Sequence, residues 1–156
     1  SVVASVVYNG THLPPGYLYS ALIWVGVTNA SGQFQAFQQQ DHQIAVGPAS
    51  VLSATASVAN TYASLSLSSI VPYSAVSCFG TLGTSTSNFG ASLAIAASSA
   101  GAYAQYFIGQ SNTNVLDGLY GACQFGPLPM VTPQTAWWKA ATTTQTFNIF
   151  IRAYNF

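Results

Sequence analysis

The chain has 156 residues, enough for one domain with a substantial buried core. Half of it is hydrophobic, which excludes a disordered chain, yet only 3% is charged against about 25% in ordinary soluble domains. The four charged residues, Asp41, Asp117, Lys139 and Arg152, sum to zero and cannot steer nucleic acid or anionic lipid to the surface, and no apolar run reaches the roughly 18 to 20 residues of a membrane span.

Taken in order, the sequence reads as short strands divided by turns. Val2 to Tyr8 is a small apolar run ended by Asn9-Gly10, without the positive stretch of a secretory signal. The start at Ser1 fits a processed chain or a piece of a longer one. After Pro14-Pro15-Gly16, the segment Tyr17 to Val27 alternates and predicts a strand, with Asn29 to Gln33 as a turn and Phe34 to Gln40 returning as the second arm of a hairpin. Ile44 to Val46 is a short strand that Gly47-Pro48 ends. Val51 to Thr61 has the weakest pattern and is the only stretch that reads as an internal linker in an otherwise single domain. Tyr62 to Leu67 places Leu65 and Leu67 inside and Ser64, Ser66 and Ser68 outside.

Beyond Val71-Pro72, Ser74 to Thr81 is the next strand and Thr84 to Asn88 a polar turn. Ala91 to Ala97 and Ala102 to Ile108 form a hairpin around Ser98 to Gly101, and Gln110 to Gly118 is a polar loop. Tyr120 to Phe125 is a strand that Gly126-Pro127-Leu128-Pro129 closes. Last come Ala136 to Thr142 and Gln145 to Phe156, expected to form a C-terminal hairpin central to the core. In its second arm Phe147, Ile149, Ile151 and Ala153 share one face, and Asn148, Phe150, Arg152, Tyr154 and Phe156 the other. No segment has a sustained helical period. The fold class is therefore all-β, an antiparallel sandwich of jelly-roll-like form.

Chemistry is sparse in this sequence. No phosphate-binding glycine loop, paired Cys-x-x-Cys, His-Glu-x-x-His or nucleophile elbow is present. Two aspartates and two histidines, with no spacing that pairs them, give no reason to expect an enzyme, a metal or another cofactor. Asp41-His42 reads as a solvated loop. Cys78 and Cys123 are too few for a disulfide framework and are expected to be reduced thiols. A neutral surface of Ser, Thr, Asn, Gln, Ala and Gly suits a subunit within an assembly better than a free, concentrated monomer.

Binding is expected on loops at one end of the sandwich. The polar segments Ser85 to Asn88 and Gln110 to Asn114, with Gln110, Asn112 and Asn114 foremost, lie beside Tyr103 and Tyr106, and aromatic faces near amides suit a sugar. Adjacent Trp137 and Trp138 point to opposite faces of a strand. Trp138, Phe150, Arg152, Tyr154 and Phe156 are the expected subunit interface, since aromatics with Arg are enriched at such surfaces.

The segment Thr132-Pro133-Gln134-Thr135-Ala136-Trp137-Trp138, followed by a polar turn and by Ile149 through Ala153-Tyr154-Asn155-Phe156, resembles the close of small β-rich virion proteins of tailed phages. These are distal domains of tail fibres, or short fibres on the head or baseplate. The resemblance is specific over the last ~25 residues and compositional over the ~75 before them. It implies a homotrimer made in the host bacterial cytoplasm and carried in the virion, in contact with other virion proteins or with the host surface, where a glycan is the expected ligand; charge and hydropathy, as above, argue against nucleic acid binding and membrane insertion. The leading expectation is a receptor-binding domain of a tail fibre. The alternatives are a capsid decoration protein that clamps capsid subunits and a glycan-binding lectin module.

Overall fold

The computed structural model describes residues 23–54, 61–86, 91–109, 119–140 and 146–156. Among them are nine strands and no helix: β1 Phe37–Gln40, β2 Gln43–Ala54, β3 Ala63–Ser66, β4 Ser77–Thr86, β5 Ala91–Ala96, β6 Gln105–Gly109, β7 Leu119–Pro129, β8 Thr135–Ala140 and β9 Thr146–Asn155. They form two antiparallel sheets, one ordered β1-β2-β9-β4-β7 and the other β3-β8-β5-β6. This is the all-β sandwich that the alternation predicts. Its ladders are nested: β2 pairs with β9, β3 with β8, β4 with β7 and β5 with β6. The chain from β2 to β9 is thus one long antiparallel hairpin folded over on itself, and the β4–β9 and β5–β8 ladders complete the sheets.

The core lies between the sheets and follows from a period of two. The four-stranded sheet sends in Leu65, Leu93, Ile95, Phe107, Ala136, Trp138 and Ala140; the five-stranded sheet sends in Ile44, Cys78, Leu82, Phe125, Leu128, Phe147, Ile149 and Ile151. The expected alternation at Leu65 and Leu67, with the serines outside, holds. So does the β5–β6 hairpin.

The C-terminal strands are not a hairpin. β8 and β9 belong to opposite sheets, and residues 141–145 between them lie outside the described residues. Each arm is nonetheless internal, with β9 in the middle of the five-stranded sheet and β8 in the interior of the other. Each carries its own buried row, and the two rows face each other across the core.

β9 also departs from strict alternation. Its β4 partners run Gly80↔Ile151 and then Phe79↔Ala153, so Arg152 is an extra residue. On the other flank, Val46, Gly47 and Pro48 lie between the pairs Ala45↔Ala153 and Ala49↔Ile151. This is a β-bulge, which reverses the inside–outside phase beyond it. Tyr154, which uninterrupted alternation puts outside with Phe150 and Arg152, is consequently 2% exposed and joins the core.

Other boundaries move for related reasons. β2 runs on through Gly47-Pro48 to Ala54, because Pro48, which has no N–H to give a ladder, sits in the bulge. The expected linker therefore begins as strand at Val51, while 55–60 lie outside the described residues. β4 extends to Thr86 across the expected turn at Thr84, since Gly83, Thr84 and Ser85 are held by ladders on both sides. β7 continues to Pro129, with a register shift absorbing Gly126 at φ 124.

The N-terminal hairpin is reduced to one bridge, Thr28↔Phe34, about a turn in which Asn29 Oδ1 accepts from Ser31 and Gln33 N–H. β1 pairs with β2 instead. Residues 23–27 close the sandwich: the Trp24 ring lies 4.8 Å from Phe34 and 5.3 Å from Phe37, and the Val25 carbonyl accepts the Tyr154 hydroxyl at 2.9 Å. Most of the expected strand Tyr17 to Val27, residues 17–22, lies outside the described residues.

Both thiols are free, Cys78 in the core and Cys123 half-buried. Burial pushes the Cys78 thiol up to about 12 and raises that of Cys123 too. Only the thiolate attacks an alkylating reagent. Iodoacetamide at pH 8 is expected to add one mass increment to the native chain, at Cys123, and a second only in denaturant without any reductant. Equal labelling rates for the two would show that the β4 row opens in the native state.

Candidate functional site

The outer face of the four-stranded sheet holds a cluster of aromatic rings around the chain's single lysine. β8 contributes Trp137 and Lys139, the residues out of phase with buried Ala136, Trp138 and Ala140. Register places Ala94 of β5 opposite Lys139 on one side and Tyr106 of β6 on the other, with Ala96 opposite Trp137 and Trp137 opposite Ser64 of β3. Ala94 and Ala96 are buried although they face outward, so the larger side chains flanking them close over them.

Tyr62, immediately before β3, ties the cluster together. The Lys139 ammonium stands 4.7 Å from the centre of its ring. Its hydroxyl is 3.4 Å from that of Tyr106, and either can donate to the other. The ring also lies against the β5–β6 turn at Gly101, where a Cβ would come within 2.8 Å of it and where φ is +83°. Glycine is needed there twice over, for the left-handed backbone and for the close approach. Burial, and then the hydrogen bond to Tyr106 and its charge, push the Tyr62 hydroxyl up to about 12. The Tyr62 phenol is therefore held as a neutral hydrogen-bonding group at physiological pH.

Tyr106 and Tyr103 are 55% and 67% exposed, and Ile108 stands out beside them. Tyr103 takes a positive φ of 55°, which turns it out at the end of the hairpin. The result is a shallow shelf of aromatic ring faces with one ammonium and two hydroxyls, suited to stacking and to polar contact with a solvated ligand. Among the described residues no group of three or more His, Cys, Asp or Glu is placed to hold a metal. Asp41 and His42 form the exposed two-residue turn between β1 and β2.

Of the expected binding residues, Tyr106 lies in this cluster and Tyr103 is exposed just before β6; Gln110, Asn112 and Asn114 lie outside the described residues. Tyr62 and Lys139 were not anticipated. The pattern that finds them is parity: Tyr62 is in phase with outward Ser64 and Ser66, and Lys139 with Trp137.

The expected interface does not form one surface. Trp138 and Tyr154 are core residues. Phe150 lies half-buried on the outer face of the five-stranded sheet between Ser50 and Thr81, and Arg152 is exposed nearby at the bulge. Phe156 is at the β1–β2 turn, its N–H donating to the His42 carbonyl at 3.1 Å and its ring 5.4 Å from the imidazole. No protein-family model matches the chain, and no curated protein matches it either.

Proposed function

We propose that the chain is a structural protein of a bacteriophage particle, built as a jelly roll and working by surface contact. The observation that supports this most is the nested pairing of β2 with β9, β3 with β8, β4 with β7 and β5 with β6. A long hairpin rolled into two sheets is the jelly-roll plan, which builds viral capsid and lectin domains. The near absence of charge fits a subunit surrounded by other subunits.

Fold does not choose among roles, so the role rests on the surface. The leading reading is a homotrimeric receptor-binding domain of a tail fibre or short fibre, with the Tyr62–Tyr106–Lys139 shelf turned to the host. The second reading, a protein that clamps capsid subunits, draws on a different surface. There, among the described residues, β1 ends its sheet as an exposed strand, with its own Phe37 and the preceding Phe34 exposed. Such an edge is a ready template for another chain.

Labelled, purified chain added to host cells and to empty capsids separates the two. The leading reading expects saturable binding to cells and competition with whole phage for adsorption. Binding to capsids alone selects the clamp, and binding to neither overturns both.

A further inference from the structure

On the receptor-binding reading of this shelf, we infer that its ligand is an acidic saccharide, with a sugar ring on the Tyr106 face and a carboxylate paired with Lys139. Lys139 is the chain's only lysine. It is held by the Tyr62 ring at 4.7 Å, which attracts the ammonium without neutralising it. The described carboxylates do not face it: Asp41 sits in the β1–β2 turn, and the carboxylate of Phe156 follows an N–H bonded to His42 in that same turn. Both belong to the opposite sheet. A cation on an aromatic shelf that no described carboxylate faces calls for an anion with an apolar ring face.

The number of charges narrows the class of anion. Nucleic acid and polyacidic peptides are held by several cations acting together. This face offers one, and Arg152 is on the other sheet. A sugar bearing one carboxylate matches one ammonium. Its C–H face stacks on Tyr106, which is 55% exposed, and its hydroxyls meet the Tyr62 and Tyr106 phenols, 3.4 Å apart. So open a shelf binds weakly, and repetition along a polysaccharide, met by several copies, multiplies the affinity.

The test is the full chain on an array of uronic-acid, sialic-acid and neutral oligosaccharides, with binding to host cells measured in parallel. Signal is expected on carboxylated members, falling with added salt and dropping at least tenfold in Lys139→Gln and in Tyr106→Ala. Tyr106→Phe should keep most of it, and thermal melting should show all three variants folded. Signal on neutral members that Lys139→Gln leaves unchanged overturns the acidic ligand while the receptor reading stands. An empty array with intact cell binding does the same, and loss of cell binding as well removes both.

Discussion

Replacing Tyr154 with alanine is expected to destabilise the chain by roughly 3 to 5 kcal/mol, the range for losing a large buried aromatic. Its ring belongs to a row that crosses the five-stranded sheet, Ile44–Tyr154–Cys78–Leu128, in which every member is buried. Its hydroxyl also pins residues 23–27 to the sandwich through the Val25 carbonyl. Tyr154→Phe keeps the ring and loses only that bond, so about 1 to 2 kcal/mol is expected. Urea denaturation of the two variants separates packing from hydrogen bonding. Near-equal losses would place the stabilisation in the hydroxyl.

The same residue gives a pH signature. Burial pushes the Tyr154 hydroxyl up to about 12, against about 10 in an unfolded chain. Its contribution is complete below pH 10 and fades as pH climbs toward 12, because the unfolded state releases its proton first. Tyr154→Phe should remove this part of the alkaline slope. Deleting Tyr154 to Phe156 is expected to cost at least as much as Tyr154→Ala, since Asn155 also pairs with Gln43 and Ser77. Because Tyr154 is inside, that deletion acts on the fold before it acts on any trimer. Light scattering on Phe150 or Arg152 variants, whose side chains are on the outside, is the cleaner test of assembly.

The sandwich was legible wherever one strand face is buried and the other is not. Leu65 and Leu67 against their serines, and Phe147, Ile149 and Ile151 against their neighbours, fix parity through local chemistry alone. Sheet membership is a different matter. Which strand β8 or β9 meets depends on contacts between residues far apart in sequence, such as Ala136 with Leu65 and Ile149 with Leu82. Adjacent strands invite a hairpin reading, and only the global roll separates them. Gly47-Pro48 and Gly126-Pro127 look like strand ends because such dipeptides usually are; here they sit where the ladders shift register. The shelf was half legible. Tyr106 stood out as an aromatic beside the polar loop that begins at Gln110, whereas Tyr62 and Lys139 matter because β3, β8 and β6 belong to one sheet.

Gly80→Ala is expected to cost about 3 kcal/mol or more, the upper end for overpacking a core. Gly80 pairs with Phe125 of β7 and Ile151 of β9, beside the extra residue Arg152. A Cβ there would strike the Phe150 carbonyl and come within 2.6 Å of the Phe125 ring. Neither can yield freely, since the carbonyl belongs to the central strand and the ring is buried. Relief requires β4 and β9 to separate at the bulge that turns Tyr154 inward. Gly47 is the control: it lies across the same bulge on β2, where a Cβ meets nothing within 4 Å. Gly47→Ala should change stability by no more than about 0.5 kcal/mol in either direction. The measurement is paired urea denaturation, with thermal melting expected to fall by roughly 6 to 12 °C for Gly80→Ala. Equal losses at the two glycines would mean that close backbone packing at Gly80 does not set the bulge, and that the inward turn of Tyr154 has another cause.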